Sequence, residues 1–150
     1  MKNTKNWYKN NNKGFTLVEL LVVLGILVIL LTIVLIAINP AKQFSETNDV
    51  RRKNDVLAIL NAVQQYAIDH NGDLPSGIGS SARTLSSGDL DICDSIVTRY
   101  IATLPFDPEG GHFDDCNDYD TKYRIYKGDD NRLTVEAPNA QGDEDIKVTR

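Results

Sequence analysis

The 150-residue chain has few of the residues that carry enzyme chemistry. It contains two histidines, two cysteines and one methionine, and aromatic residues make up only 7% of it. It has no C-x-x-C pair, no H-E-x-x-H spacing, no glycine-rich phosphate loop and no G-x-S-x-G sequence. With one exception, its acidic residues follow patterns typical of solvated helix faces and turns. The sequence therefore predicts a structural protein and not an enzyme.

Basic residues are scarce beyond the first 14 positions, which hold four lysines and no acid. Residues 39–150 hold 12 basic and 20 acidic side chains, a net charge of −8. An acidic surface argues against sequence-independent binding of nucleic acid, so nucleic acid is not indicated as a partner. The triplet Arg51-Arg52-Lys53 lies among acids without interleaved aromatics. We interpret it as a solvated helix face, able to pair with acids of a neighbouring subunit.

One long apolar run, the 24 residues of Phe15–Ile38, contains Glu19 as its only ionisable side chain. As a helix it would be about 36 Å long, which is enough to cross a hydrocarbon core of about 30 Å. Asn39-Pro40 follows at once and predicts a kink or break, because a residue before proline avoids the helical region. The lysines on the amino side predict a single-pass helix with a cytoplasmic amino terminus.

Three interpretations compete for this amino terminus. A cleaved secretory signal would have an apolar core of about 7 to 15 residues and a small-x-small site, and neither is evident. A plain signal anchor leaves Glu19 unexplained, since an acid at the centre of a membrane costs about 2.5 to 3.5 kcal/mol. Cleavage between Gly14 and Phe15 would instead free an amine, charged up to a pKa of about 8, at the head of the helix.

The residues Lys13-Gly14-Phe15-Thr16-Leu17-Val18-Glu19-Leu20-Leu21 resemble the class III leader of type IV prepilins and of the related pseudopilins of type II secretion. The resemblance implies that prepilin peptidase cleaves after Gly14 and methylates the new amino group of Phe15. It also implies that Glu19 recruits the subunit to a growing filament by pairing with the Phe15 amine of a neighbour.

Beyond Pro40 the apolar residues follow helical spacing, which predicts an amphipathic helix over about 41–70. His70-Asn71-Gly72 ends it, because glycine suits a left-handed cap. The apolar face consists of Val56, Ile59, Leu60, Val63, Tyr66 and Ala67.

The rest of the head is predicted to be a loop over 71–90, a short second helix within Asp89–Leu104, and an antiparallel sheet over about 122–149. Its three strands are Lys122–Lys127, Leu133–Ala137 and Ile146–Thr149. Laid on the apolar face of the helix, the sheet closes an α+β core. This is the pilin-like fold that the leader implies, a long amino-terminal helix with a transmembrane and an amphipathic half packed on a small antiparallel sheet.

The two cysteines, Cys93 and Cys116, lie in the part predicted to be exported, and an even count there favours a disulfide. A thiol nucleophile with His70 or His112, or a metal site, is the alternative, although neither has a supporting motif.

Leu104–Gly111 is similar to the Pro-x-Asp-Pro-x-Gly turn that precedes a calcium-holding loop in major pseudopilins. Glu109 stands where an aromatic usually follows the second proline, and an acidic stretch is inserted at 114–120. The acids supply the oxygen ligands that calcium prefers, but their spacing is not that of an EF-hand. A solvated acidic loop is therefore favoured, and no cofactor is expected. The weak calcium candidates are Asp107, Asp114, Asp118 and Asp120.

These observations predict a basic leader (1–14), a transmembrane and filament-core helix (15–38) and an exported head (39–150). The expected function is that of a structural subunit of a type IV pilus, and its expected partners are copies of itself, prepilin peptidase, the pilus assembly machinery and membrane lipid. The protein would reside in the bacterial inner membrane before it joins a surface filament. A pseudopilin of type II secretion, favoured if calcium binds, and a membrane-anchored binding module that never polymerises remain as alternatives.

Overall fold

The computed structural model describes residues 14–142 and 145–150. Apart from Gly14, the predicted leader lies outside the described residues. The chain falls into two compact units, one up to Pro40 and one from Ala41 to Arg150. Its elements are α1 (Leu17–Ile38), α2 (Pro40–Asp69), β1 (Arg83–Ser86), α3 (Cys93–Ile96), β2 (His112–Asp115), β3 (Asp118–Lys127), β4 (Leu133–Ala137) and β5 (Ile146–Thr149).

Helix α1 is apolar around its whole circumference, and none of its residues is buried by other parts of the described chain. By length and composition it is the one helix in the described residues that is able to cross a membrane. It ends at Asn39, whose φ of 45° is left-handed, and α2 begins at the next residue. The predicted break at Asn39-Pro40 is therefore present in the backbone.

Helix α2 packs its predicted apolar face into the core of the head. Val56, Ile59, Leu60 and Val63 are completely buried, and Tyr66 packs against them. The helix ends at Asp69, and the expected glycine cap follows in the turn at 70–72: Gly72 has a φ of 98° and donates its amide hydrogen to the carbonyl of Ala67.

All strand pairings of the head are antiparallel, and the main strand order is β1-β3-β4-β5. Strand β2 pairs with the first residues of β3, which makes the sheet five-stranded. Residues that alternate along β3, including Tyr119, Tyr123 and Ile125, face the α2 core with Val135 of β4. The predicted α+β, pilin-like arrangement is confirmed.

The structure corrects several details of the predicted head. Strand β1 lies within the predicted loop 71–90, because Leu85 is drawn into the core and its neighbours pair with β3. Strand β2 and the start of β3 form a hairpin in the acidic stretch, where the sequence predicts a loop. The predicted second helix is only the four residues of α3, because Val97 is extended and Thr98 has a φ of 70°.

A second correction concerns Arg52, which is completely buried and does not belong to a solvated face. Its guanidinium donates from Nε and Nη2 to the two carboxylate oxygens of Asp107, both at 2.9 Å, and Asp107 is also completely buried. The paired hydrogen bonds to Asp107 raise the pKa of Arg52 above its ordinary value, so the buried guanidinium is a permanent cation.

Two further acids surround this guanidinium and connect three segments of the head. Asp49 accepts from Arg52 Nη1 at 2.9 Å and from the backbone amides of Gln141 and Gly142. Glu109 accepts from Arg52 at 3.4 Å and also from Gln141. The cluster therefore holds α2, the turn at residues 107–111 and the loop before β5 against one another.

Gly111 allows the turn at residues 107–111 to close tightly. A Cβ atom there would lie 2.7 Å from the backbone nitrogen and 2.8 Å from the carbonyl oxygen of Asp107. The Gly111 amide donates to that same carbonyl, and the Glu109 amide donates to the Asp107 carboxylate. The proline- and glycine-rich segment therefore positions one buried carboxylate for Arg52.

The disulfide between Cys93 and Cys116 is present and joins α3 to the β2–β3 hairpin, with a Cα–Cα distance of 5.4 Å. The two histidines lie in other contacts. His70 stacks on Tyr66 with ring centroids 3.8 Å apart, and His112 contacts Asp118 at 3.2 Å. The pairing of both cysteines removes the alternative of a thiol nucleophile.

Replacing both cysteines by serine is expected to lower the free energy of unfolding of the head by about 3 kcal/mol, because 22 residues of the unfolded chain would no longer be closed in a loop. Urea unfolding of the full chain in detergent, followed by near-ultraviolet circular dichroism, measures the change. Wild-type protein kept reduced throughout is the control and should match the double variant. An unchanged midpoint in both samples would contradict the prediction.

Replacing Arg52 by methionine is expected to lower the free energy of unfolding by about 3 to 5 kcal/mol, because Asp107 would remain buried without its cation. The matched control is Lys53→Met, an exposed neighbour whose loss should change stability by less than about 0.5 kcal/mol. The same urea titration compares the two variants. Equal losses in the free energy of unfolding for Arg52→Met and Lys53→Met would contradict the prediction that the buried ion pair stabilises the head.

Acid is expected to destabilise the head through Asp49. Although burial acts to raise its pKa, the hydrogen bonds from Gln141, Arg52 and Gly142 outweigh burial and lower the pKa. Its contribution is therefore complete above the unfolded pKa and is lost as pH falls through the lower folded pKa.

The measurement is the free energy of unfolding at about pH 6 and about pH 3. Asp49→Asn should lose less stability between these values than the wild type does. Asp55 has the opposite effect on stability, because burial raises its pKa. The total acid sensitivity of the head therefore combines both carboxylates, and only the difference between wild type and Asp49→Asn reports on Asp49. Parallel pH profiles for both proteins would refute the assignment.

Candidate processing and assembly site

The predicted processing site lies immediately before the first turn of α1. Gly14, Phe15 and Thr16 are outside the helix, and the Phe15 side chain is 90% exposed. Thr16 is the N-cap residue, with the extended backbone angles φ −81° and ψ 151°. The Gly14–Phe15 peptide bond is therefore in non-helical, exposed chain.

Thr16 and Glu19 form a complete capping box. The Glu19 amide donates to Thr16 Oγ1 at 3.2 Å. In return, Glu19 Oε2 accepts from the Thr16 amide at 2.9 Å and from the Thr16 hydroxyl at 2.8 Å. The one carboxylate of the apolar helix is thus hydrogen-bonded to the amino-terminal turn of its own chain.

This position explains how a single copy accommodates the acid. The amino end of a helix carries unpaired N–H groups and a partial positive charge, so a carboxylate in the first turn is stabilised there. Glu19 is four residues beyond Phe15, but its carboxylate accepts from Thr16, the residue that directly follows the Phe15 nitrogen that cleavage would release. The carboxylate therefore stands next to the position at which a new charged amine would appear.

The contribution of Thr16 was not recognised from the sequence, although the signal was present. Thr16-Leu17-Val18-Glu19 has the T-x-x-E spacing of a capping box directly before an apolar run. The resemblance to prepilins drew attention to Glu19 alone. The structure shows that threonine and glutamate act as a pair.

The four calcium candidates are not brought together in the head. Asp107 is occupied by Arg52, Asp118 contacts His112, and Asp120 accepts from the Lys122 ammonium at 2.6 Å. Asp114 lies exposed on β2. Within residues 14–142 and 145–150, no group of three or more histidine, cysteine, aspartate or glutamate side chains is placed to hold a metal ion. Calcium binding therefore stays a prediction that these positions do not strengthen.

Residues 9–35 match the family model of the prokaryotic N-terminal methylation motif. The matched segment includes Gly14, Phe15, Thr16 and Glu19 and most of α1. No curated protein matches the chain, and no solved structure matches it. The chain therefore carries the class III prepilin leader, consistent with the type IV pilin and pseudopilin family.

Proposed function

We propose that the protein is a structural subunit of a type IV pilus, cleaved by prepilin peptidase and polymerised through α1. The observation that carries the proposal is the combination at one helix end of a methylation motif, an exposed Gly14–Phe15 bond and a lone carboxylate at Glu19. The pilin-like head supports it.

The surface of α1 supports a role in assembly. A helix that is apolar on every side has no face for water, so it is stable only within lipid or among other apolar helices. Membrane insertion provides the first environment, with the lysine-rich end in the cytoplasm. A filament core of identical helices provides the second, and the apolar surface stays covered throughout the transfer.

Glu19 would gain a partner during this transfer. In the single copy both hydrogen bonds from Thr16 are accepted by Oε2. Among the described residues no hydrogen bond is made by Oε1, which is therefore placed to accept from the charged Phe15 amine of a neighbour. The donors on Thr16 carry no net charge, so pairing with a charged amine adds a Coulomb attraction that favours the assembled state.

The head is suited to the outside of the cell. Its disulfide is of the kind that persists in an oxidising compartment, and its acidic exterior keeps it soluble. Prepilin peptidase and the pilus assembly machinery are the partners that this route requires.

The pseudopilin alternative shares the leader and the helix with this proposal. Calcium binding at Asp107 and the acidic loop is the feature that would favour it, whereas Asp107 is held by Arg52. We therefore place the pilus subunit first. A non-polymerising membrane module would differ from both by remaining an uncleaved, solitary protein.

Glu19→Ala is expected to abolish recovery of the protein in sheared surface filaments while leaving it in the membrane, because the subunit would no longer pair with the Phe15 amine of its neighbour. Amino-terminal mass spectrometry of the sheared material measures the outcome. Wild-type protein should yield N-methylated Phe15, and the variant should be reduced by at least about tenfold.

The control is Asp129→Asn, which removes an exposed acid in the turn between β3 and β4 and should leave recovery unchanged. Wild-type protein found only with Met1 to Gly14 attached would refute the processing step. Normal incorporation of Glu19→Ala would refute the pairing.

A further inference from the structure

The outward side of α2 carries an uncharged stripe opposite the core. We call the residues of this stripe the outer stripe. Its positions follow one another at alternating intervals of three and four residues, whereas all eight charged side chains of α2 lie elsewhere on the helix. The outer stripe consists of Thr47, Val50, Asn54, Leu57, Asn61, Gln64 and Ile68.

Apolar side chains in this stripe are exposed within the folded head. Val50 is 59% exposed and Ile68 is 78% exposed, whereas Ile59 on the opposite side of α2 is completely buried. Leu57 lies between them and is half-buried. Charged residues would normally cover the outward face of a helix in a chain with 25% charged residues. No charged residue of α2 lies in the outer stripe over about 32 Å of helix, and the one described charged side chain hydrogen-bonded to it is Arg150, at Asn61. This pattern favours a surface that is covered by a partner.

The spacing is that of a coiled-coil seam, in which positions a and d of a seven-residue repeat face a second helix. Thr47, Asn54, Asn61 and Ile68 occupy position a, and Val50, Leu57 and Gln64 occupy position d. Position f of the same repeat holds Arg52, Ile59 and Tyr66, which all point into the head. The head therefore leaves the seam facing outward.

Charges beside the seam are complementary to a parallel second copy. Position g holds Glu46 and the following position e holds Arg51, and in a parallel pair these positions meet across the interface. Their side chains are 59% and 51% exposed. Their ion pairs within the chain, to Lys42 and Asp55, are 3.7 Å long and contribute little. Arg51 also lies 5.5 Å from the centre of the Phe106 ring, a contact that the pair of helices would have to retain or replace.

Two asparagines at position a add specificity for a pair of helices. A buried asparagine at this position fixes register and favours two strands, because its amide needs the equivalent amide opposite. Asn61 accepts from Arg150 at 3.0 Å, so Asn54, one repeat earlier, is the better placed of the two to meet its own counterpart.

We propose that α2 pairs through the outer stripe with α2 of a second copy, parallel and in register, while both copies are held in a membrane by α1. The shared membrane sets the parallel orientation, because both chains enter it from the same side. Only Val50, Leu57 and Ile68 of the seven stripe residues are large and apolar, so the pair is weak in solution and depends on the high effective concentration that tethering provides.

The inference requires anchoring by α1 but not polymerisation. It is therefore tested with the full chain in lipid vesicles, without peptidase or assembly proteins. Failure of the pair would leave the filament proposal intact, and failure of the filament experiment would leave the pair intact.

The test is disulfide cross-linking of Asn54→Cys under mild oxidation, with the native Cys93–Cys116 bond left closed. In an in-register pair the two residues at position 54 face each other, so a covalent dimer should form at least about tenfold faster than with the control Asp129→Cys. Asp129 is exposed on the β3–β4 turn and is not part of the stripe. Equal rates for the two variants would overturn the proposal.

Exchange of the flanking charges tests register and orientation in the Asn54→Cys background. Glu46→Lys places two cations together at each edge of the pair and should slow cross-linking about fivefold, and Arg51→Glu should do the same with two anions. Combining both changes restores opposite charges and should restore the rate. If the combined variant is as slow as the single ones, although its circular dichroism matches the wild type, the proposed pairing is wrong.

Discussion

The lack of any polar face on α1 is the constraint on which the rest of the structure depends. Apolar side chains are exposed on every side of this 22-residue helix, and none of its residues is buried. Such a helix requires an apolar solvent or apolar neighbours at every stage. The single carboxylate is compatible with this requirement because the capping box with Thr16 supplies its hydrogen bonds within the chain.

The head has a different organising element, the buried guanidinium of Arg52. A core built from α2 and five strands needs its long connections fixed. Three carboxylates meet at this one cation, two from the turn at residues 107–111 and one from α2 itself. The disulfide fixes the remaining connection, between α3 and the β2–β3 hairpin. Apolar packing therefore stabilises the centre of the head, and the Arg52 cluster and the disulfide stabilise its periphery.

The parts predicted correctly from the sequence were those with local signals. The apolar run defined α1, the spacing of Val56 to Val63 defined the buried face of α2, and β4 and β5 span the residues that their alternation indicated. The sequence did not predict β1 because this strand pairs with β3, which begins more than 30 residues later. It did not predict the local hairpin of β2 with β3 because acidic residues, which are typical of solvated loops, fill that stretch.

The buried pair of Arg52 and Asp107 was not predicted from the sequence, for a related reason. Three consecutive basic residues receive three environments: Arg51 lies over the Phe106 ring, Arg52 is buried, and Lys53 is exposed. Only the tertiary fold distinguishes them, because Asp107 is 55 residues away. At the processing site the position of Glu19 was evident from its neighbours, whereas the capping role of Thr16 needed the backbone to be seen.

The geometry around Arg52 also means that another residue of the same charge, lysine, cannot replace it without loss of hydrogen bonds. A planar fork with five N–H groups reaches Asp107 with two parallel bonds and still serves Asp49 and Glu109. A lysine would bring the same charge as a single point with three donors and would leave part of this ring of acids unsatisfied. Sequences that keep arginine at this position and aspartate in the turn would be expected to share the same connection between helix and loops, even where the rest of the head has diverged.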